Sequence, residues 1–270
     1  MPFERYEFRP LQGCFAISTK QCLVTIPAFG SDALTHGVLS DVVAEHDLVD
    51  LLIIDNGGSY QKVGDEWVIR PGANIGWAAA SNMGFRIAFT RGYRYGLTLN
   101  NDTRLSPGFF AGLLDPRLPD DAGIVGPTYD DSWWPTQVSD FEGAASEYQP
   151  TDCFREVPMV DGTAMLLSAA AWERVGGLDE RSFGRFAWGA DIDLAFRVSE
   201  AGFGVYVTER SFLNHRSKSS ATAAFGKHRY VIRANRDCTK AMRRIHGRNT
   251  FRALKKAIPV RRPLPGSNCD

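Results

Sequence analysis

The chain has 270 residues, with 31 Lys and Arg against 31 Asp and Glu; it is 44% hydrophobic and 23% charged. These values suit one large α/β domain, or one domain with an appended tail, and they are ordinary for a soluble globular protein with a sizeable core. No apolar run approaches the roughly 18–20 residues that span a bilayer, and the opening MPFERYEFRP does not read as a secretory signal.

Five cysteines, at positions 14, 22, 153, 238 and 269, are odd in number and lack CxxC spacing. They indicate neither a zinc site nor a disulfide framework, so a reducing, cytoplasmic setting is expected. The zero net charge conceals an asymmetry. From Lys227 onward 13 Lys and Arg stand against Asp237 and Asp270, a balance of +11, which leaves 18 against 29 (−11) in the rest. Such a segment either meets an anionic partner, for instance at the inner face of a membrane, or is a solvated helix face packed on an acidic body.

In chain order, residues 22–27 (CLVTIP) form a buried-strand run stopped by Pro27. Residues 31–45 have helical spacing with Ser31 as N-cap. Residues 48–54 are an apolar strand ending at the turn Asp55-Asn56-Gly57-Gly58. A short strand at 66–69, a helix at 78–90 and a strand at 95–99 follow, the last ending at Asn100-Asn101-Asp102. Residues 106–114 read as a helix with Ser106 at its cap and Pro107 at its first position, and 123–125 as a short strand. Strand and helix alternate, which predicts a parallel, Rossmann-like sheet whose ligands sit beyond the carboxyl ends of the strands. The polar clusters at 55–58 and 100–102 lie there.

The second half reads differently. Residues 128–150 are loop-like and carry Trp133-Trp134-Pro135. Residues 159–167 suit a strand pair or one bent strand, 169–175 a short helix closed by Gly176-Gly177, 191–201 a helix ended by Gly202, and 205–208 a strand. Residues 225–244 form a basic helix and 259–266 a frayed end.

Side chains two apart on an extended chain point the same way, so Asn100 and Asp102 face one site together. A hard divalent cation takes one or two carboxylates plus substrate phosphates; an Asx turn ending the strand explains the same triplet. Asp55 is open to the same two readings, as a turn residue or as an acceptor for a base N–H or ribose hydroxyl. Small residues at Gly76 and 78–80 let a backbone approach a ligand or a neighbouring strand, in a pattern that is neither GxGxxG nor a P-loop. Asp193 and Arg197 are spaced to pair along a helix. Trp188 either stacks on a sugar face or packs under its loop, and Trp133 and Trp134 share that ambiguity.

Several motifs recur in a recognisable order: Ile26-Pro27 closing a strand, Asp55-Asn56-Gly57, the run from Asn74 to Gly84, Leu99 to Asp102, Gly176 to Glu180, the box from Ala190 to Arg197, and Asn214-His215 after the last strand. Across roughly residues 22–216 the chain resembles the family 2 glycosyltransferases of the GT-A fold. The resemblance implies an α/β fold with a Rossmann-like mixed, mostly parallel sheet flanked by helices. It implies a domain over 1–226, with a nucleotide-binding half at about 22–127 and an acceptor-binding half at about 128–226, followed by a basic helical extension over 227–270. The implied activity is inverting transfer of a sugar from a nucleotide-diphosphate sugar, UDP-linked by first expectation and GDP- or dTDP-linked next. The acceptor is a hydroxyl on a glycan, lipid-linked sugar, protein or modified nucleic acid.

Carried over residue by residue, Asp191 matches the catalytic base and Asp55 the acid that binds base and ribose. Asp102 matches the metal ligand and His215 the histidine completing the Mn²⁺ or Mg²⁺ and diphosphate site. Pro27, Asn74, Gly76, Asn82, Asn100 and Asn101 are expected on the donor side, and Trp188, Asp161 and Gly162 on the acceptor side. The segment 216–224, with Arg216 and Lys218, is expected to close over the diphosphate. Two positions depart from the family pattern: Asn100 replaces the first acid of the metal motif, and Ala190 replaces the glutamate that usually precedes the base. A nucleotidyltransferase would share fold and metal, but it opens with a Gly-rich basic loop after the first strand, and residues 27–31 (PAFGS) have no basic residue. A non-catalytic sugar- or nucleic-acid-binding module suits the basic tail, yet no zinc-finger or RNA-recognition signature is present.

Overall fold

Apolar strand runs and amphipathic helices of the first half assemble into the centre of one sheet. The computed structural model describes residues 18–130, 134–184, 186–215, 227–254 and 256–269. Strands β1 (Cys22–Ala28), β2 (Val49–Asp55), β3 (Trp67–Ile69) and β4 (Tyr95–Leu99) are joined by helices α1 (Asp32–Val42) and α2 (Trp77–Thr90). β1 pairs in parallel with both β2 and β4, and β2 with β3. β1 is buried along its whole length, as expected of a strand covered on both faces by helices. The second half supplies β5 (Thr103–Leu105), α3 (Phe109–Leu113), β6 (Ala122–Tyr129), β7 (Cys153–Glu156), β8 (Ala164–Ser168), α4 (Ala169–Val175), α5 (Ala190–Glu200), β9 (Gly204–His215), α6 (Lys227–His246), α7 (Arg248–Leu254) and β10 (Val260–Pro263). The strand order is β10-β7-β9-β6-β8-β4-β1-β2-β3, with β5 paired to β9. The sheet is mixed: β8 lies antiparallel between β4 and β6, whereas β6 and β9 run parallel. No helix among the described residues is long and apolar enough to cross a membrane.

Close packing sets α2 on the sheet. A Cβ at Gly84 would lie 2.0 Å from Thr25 Oγ1 of β1, so any side chain there would force the layers apart. One apolar cluster fills the space between the sheet, α4, α5 and α6, drawing on Phe85, Met165, Leu194 and Met242. A second lies under α1 and α3, around Val38, Phe109 and Leu166. α6 buries Ala234, Cys238, Ala241 and Met242 against the first.

Three expectations are corrected. Ser106 does not cap a helix: its hydroxyl accepts the Phe212 N–H at 3.1 Å, tying this segment to β9, and α3 starts after Gly108. Residues 260–263 are not a frayed end, because they pair antiparallel with β7. That pairing brings Cys153 and Cys269 together in a disulfide across 116 positions of sequence, which the spacing of the cysteines did not indicate. Trp133 and the segment 216–224 lie outside the described residues.

Candidate active site

The carboxyl end of β4, the turn before β8 and the N-terminus of α5 meet at one place. Leu99 is in register with Ala164, and beyond the ladder the Asn100 N–H donates to the Thr163 carbonyl at 2.8 Å. The 100–102 turn therefore lies against the 161–163 turn. Asp161 closes its own turn by accepting from the Thr163 N–H (2.8 Å) and hydroxyl (2.5 Å). The Asp161 N–H donates to Gln137 Oε1 at 2.9 Å, and Gln137 is itself buried and donates to the Pro127 carbonyl.

Asp191 is the second residue of α5. Gly189 takes the N-cap position, so Asp191 is not there as the cap. Its Oδ2 accepts the Gly162 N–H at 3.0 Å and its Oδ1 the Ile192 N–H at 2.9 Å. Burial first, and the neighbouring Asp161 carboxylate second, push the Asp191 carboxyl from 3.8 up to about 7. Gly162 has no room for a side chain, since a Cβ would come within 2.4 Å of the Trp77 ring. Trp77 and Trp188 are half-buried and pack against the same core cluster. The Trp77 indole Nε1 is buried and finds no partner among the described residues. Position 190 is fully buried in that cluster with Cys238 and Met242 of α6. A glutamate would be an unpaired charge in the core there, which accounts physically for Ala190.

The second pair forms on the other side of the 100–102 turn. β5 runs antiparallel to the end of β9, with Thr103 opposite His215. His215 Nε2 thereby lies 3.4 Å from Asp102 Oδ1, both side chains about one-tenth exposed (12% and 10%). The His215 N–H donates to Asp130 Oδ1 at 2.8 Å, and the other oxygen of Asp130 takes the Asn214 amide at 2.9 Å. Among the described residues no group of three His, Cys, Asp or Glu side chains could hold a cation by itself. A carboxylate and an imidazole at this spacing nonetheless fit a Mn²⁺-type site completed by the oxygens of a bound diphosphate.

The remaining expected residues divide. Pro27 is buried in β1 opposite Ile54. Asn74 is exposed and its side chain accepts the Gly76 N–H at 2.9 Å; Gly76, at φ +85°, precedes α2. Asp55 is 3% exposed and already holds the Gly58 N–H (2.7 Å), the Tyr60 N–H (3.0 Å) and Arg70 Nε (3.1 Å). The Asn101 amide donates to Thr35 of α1 at 3.1 Å. Asn82 is committed to the fold: it donates to the Leu178 carbonyl (2.8 Å) and to Glu180 (2.7 Å) and accepts the Leu178 N–H (2.8 Å). Asp193 and Arg197 pair as their spacing predicts, at 2.8 Å, and Asp193 also meets His246 of α6 at 2.9 Å.

Sequence reasoning did not single out Trp77, Gln137, Asp130 or His246. The only local signal was a tryptophan opening a helix just after Gly76. The other three act through contacts between segments far apart in sequence.

No protein-family model matches the chain. It is similar to an uncharacterized protein of Mycobacterium tuberculosis strain H37Rv, at 46% identity over 225 residues, 83% of this chain and 85% of that one. It is also similar to an N-acetylglucosaminyl-diphospho-decaprenol L-rhamnosyltransferase of the same strain, at 26% identity over 70% of this chain and 75% of that one. Among solved structures, a mannosyltransferase from Pyrobaculum calidifontis in complex with GDP-Man and Mn²⁺ matches with TM-score 0.56 and 13% identity, over 92% of this chain and 72% of that one. GalNAc-T7 with UDP, GalNAc and Mn²⁺ matches at TM-score 0.56 and 12% identity, over 73% of this chain; the chain spans 43% of that protein's length. The protein belongs to the family of the mycobacterial protein with which it shares 46% identity, and its fold is that of the GT-A glycosyltransferases.

Proposed function

We propose that the protein is an inverting, metal-dependent glycosyltransferase that moves a sugar from a nucleotide-diphosphate sugar to an acceptor hydroxyl. The observation that carries this reading is Asp191. It is a half-buried carboxylate with a raised proton affinity, fixed by the Gly162 N–H beside the 100–102 turn. In the proposed reaction the acceptor oxygen bonds to the anomeric carbon as the bond from that carbon to the diphosphate oxygen breaks. The hydroxyl proton passes to Asp191, and the nucleoside diphosphate leaves on the opposite face. Asp102 and His215 would hold a divalent cation, which when bound neutralises charge on the leaving diphosphate. Pro27, Asp55, Asn74, Gly76, Asn100 and Asn101 form the proposed donor side, within about residues 22–127. Trp188, Asp161 and Gly162 form the acceptor side, with Trp188 and Trp77 offering apolar walls for a sugar ring.

The donor is taken to be UDP-linked first, with GDP- and dTDP-sugars next. Because the rhamnosyltransferase relative is named for an N-acetylglucosaminyl-diphospho-decaprenol acceptor, a lipid-linked diphosphate sugar is the first acceptor to try. The test is release of nucleoside diphosphate from a panel of nucleotide-sugars, with and without Mn²⁺ and acceptor. Release that depends on metal and acceptor supports the reading; its absence across the panel, or full activity in excess chelator, overturns it. Asp102→Ala and His215→Ala should each weaken Mn²⁺-dependent nucleotide binding by calorimetry while leaving the thermal midpoint of the ligand-free protein within a few degrees.

A further inference from the structure

α6 presents opposite chemistries on its two sides. Ala234, Cys238, Ala241 and Met242 face the core. On the outer side Arg233, Arg236, Lys240, Arg243 and Arg244 are exposed. At 3.6 residues per turn, Ile232, Arg243, Arg236 and Lys240 fall within an arc of roughly 80°. Ile232, 69% exposed, therefore lies on the same side of the helix as these cations. Arg233 and Arg236 lean toward Asp237, at 3.9 and 3.6 Å. Lys240, Arg243 and Arg244, with exposed Arg248 and Arg252 of α7, have no ion pair or hydrogen bond among the described residues. A further apolar side chain, Ile258, is 86% exposed just after α7.

We propose that this outer face of α6 docks on the surface of a bilayer containing anionic lipids. Uncompensated cations give the attraction, because each Lys or Arg near an anionic leaflet adds to binding until salt screens it. An exposed isoleucine among them adds what a phosphate polymer cannot use, an apolar group for the headgroup–acyl boundary. A single-stranded nucleic acid would call for aromatic stacking platforms, and none of the exposed large apolar side chains among the described residues is aromatic. The body of the protein is net acidic, so an anionic leaflet would repel it and favour approach by α6. The inference stands independently of the glycosyl-transfer reading.

The test is co-sedimentation of the full chain with vesicles of phosphatidylcholine alone and of phosphatidylcholine with phosphatidylglycerol, over a range of salt. Binding is expected only to the anionic vesicles, weakening as salt rises. The Lys240→Gln/Arg243→Gln/Arg244→Gln variant, checked for an unchanged thermal midpoint, should lose partitioning by on the order of 100-fold at low salt. Ile232→Ser should lose the part of binding that survives salt. No binding to anionic vesicles at low salt, equal binding to both kinds of vesicle, or wild-type binding by the triple variant overturns the proposal. So does Ile232→Ser binding like wild type at every salt, which would leave only charge adhesion. Retention on single-stranded nucleic acid with the anionic vesicles unbound would assign the face to that polymer instead.

Discussion

Asp191 sits under two opposed influences. The N-terminus of α5 favours its ionised form, and so do the backbone N–H groups of Gly162 and Ile192. Burial and the adjacent Asp161 carboxylate favour the protonated form, and they prevail, raising the carboxyl to about 7. A base must be ionised before it accepts a proton. In the proposed reaction kcat/KM should therefore climb as pH rises through about 7. Asp161→Asn should move that climb to lower pH, since it removes the like charge and leaves the burial. The stability consequence has the opposite sense. A carboxyl whose folded value is raised from 3.8 contributes stability that is fully present below 3.8 and is lost as pH rises toward 7. Asp191→Asn should thus be at least as stable as wild type above neutrality, keep nucleotide-sugar binding, and lose about 10²–10⁴ in transfer rate. Asp193→Asn should act through stability instead, because Asp193 meets Arg197 and His246. Near wild-type transfer by Asp191→Asn would move the base elsewhere, first to Asp161.

Elements are joined here by polar side chains whose partners lie far away in sequence, and that is where reading the sequence stopped. The strand and helix order of residues 22–99 was legible because each segment carries its own period and its own turn, Pro27, Asp55 to Gly58 and Asn100 to Asp102, whereas β5 was missed because Thr103–Leu105 becomes a strand only against β9. The Asp102–His215 pairing was legible only through the family resemblance, since it needs β5 to lie on β9. β10 was not legible: Val260–Pro263 is a short, proline-ended, basic run that becomes a strand only against β7. Its arginines are held there, with Arg261 on Glu209 and Arg262 near Glu156. Asn82 is a further case. Its place in the Asn74 to Gly84 motif suggested the donor, whereas its amide bridges α2 to residues 178–180 across 96 positions of sequence. The two roles separate experimentally. Asn82→Ala leaves the buried Leu178 N–H and carbonyl without their partner, at about 1–3 kcal/mol for each unsatisfied group, so the thermal midpoint should fall by several degrees with donor affinity nearly unchanged. Loss of donor affinity at full stability would return Asn82 to the donor site.

For the molecule as a whole, the C-terminal segment acts as a strap along one side of the sheet. β10 pairs with β7 and is itself the exposed edge strand; it is short, carries Arg261 and Arg262 and ends on Pro263, features that discourage pairing between chains. Behind it Leu264 is 1% exposed, the Ser267 hydroxyl donates to Asp152 at 2.9 Å, and Arg117 and Arg210 gather on Asp115 and Asp152. Glu209, buried in β9, is held down to about 2: burial alone would raise it, but Arg261, Arg155 and Thr151 overcome that cost. The Cys153–Cys269 bond then fixes the strap covalently and closes a loop of 116 residues. The chain-entropy account of such a closure gives about 4–5 kcal/mol, which in a domain of this size corresponds to roughly 10–20 °C in the unfolding midpoint. The gain is smaller to the extent that the unfolded, reduced chain already retains structure. A reducing compartment would hold the two cysteines as thiols, so the protein should exist in a bonded and an unbonded form that differ in stability but share the fold. Thermal unfolding with and without reductant, repeated on Cys269→Ser, measures the difference. Reductant should lower the wild-type midpoint to that of Cys269→Ser and leave the variant unmoved, while peptide mapping of the unreduced wild type should recover Cys153 linked to Cys269. Identical midpoints for oxidised wild type and Cys269→Ser would mean that the arginine and serine contacts hold the strap without the bond.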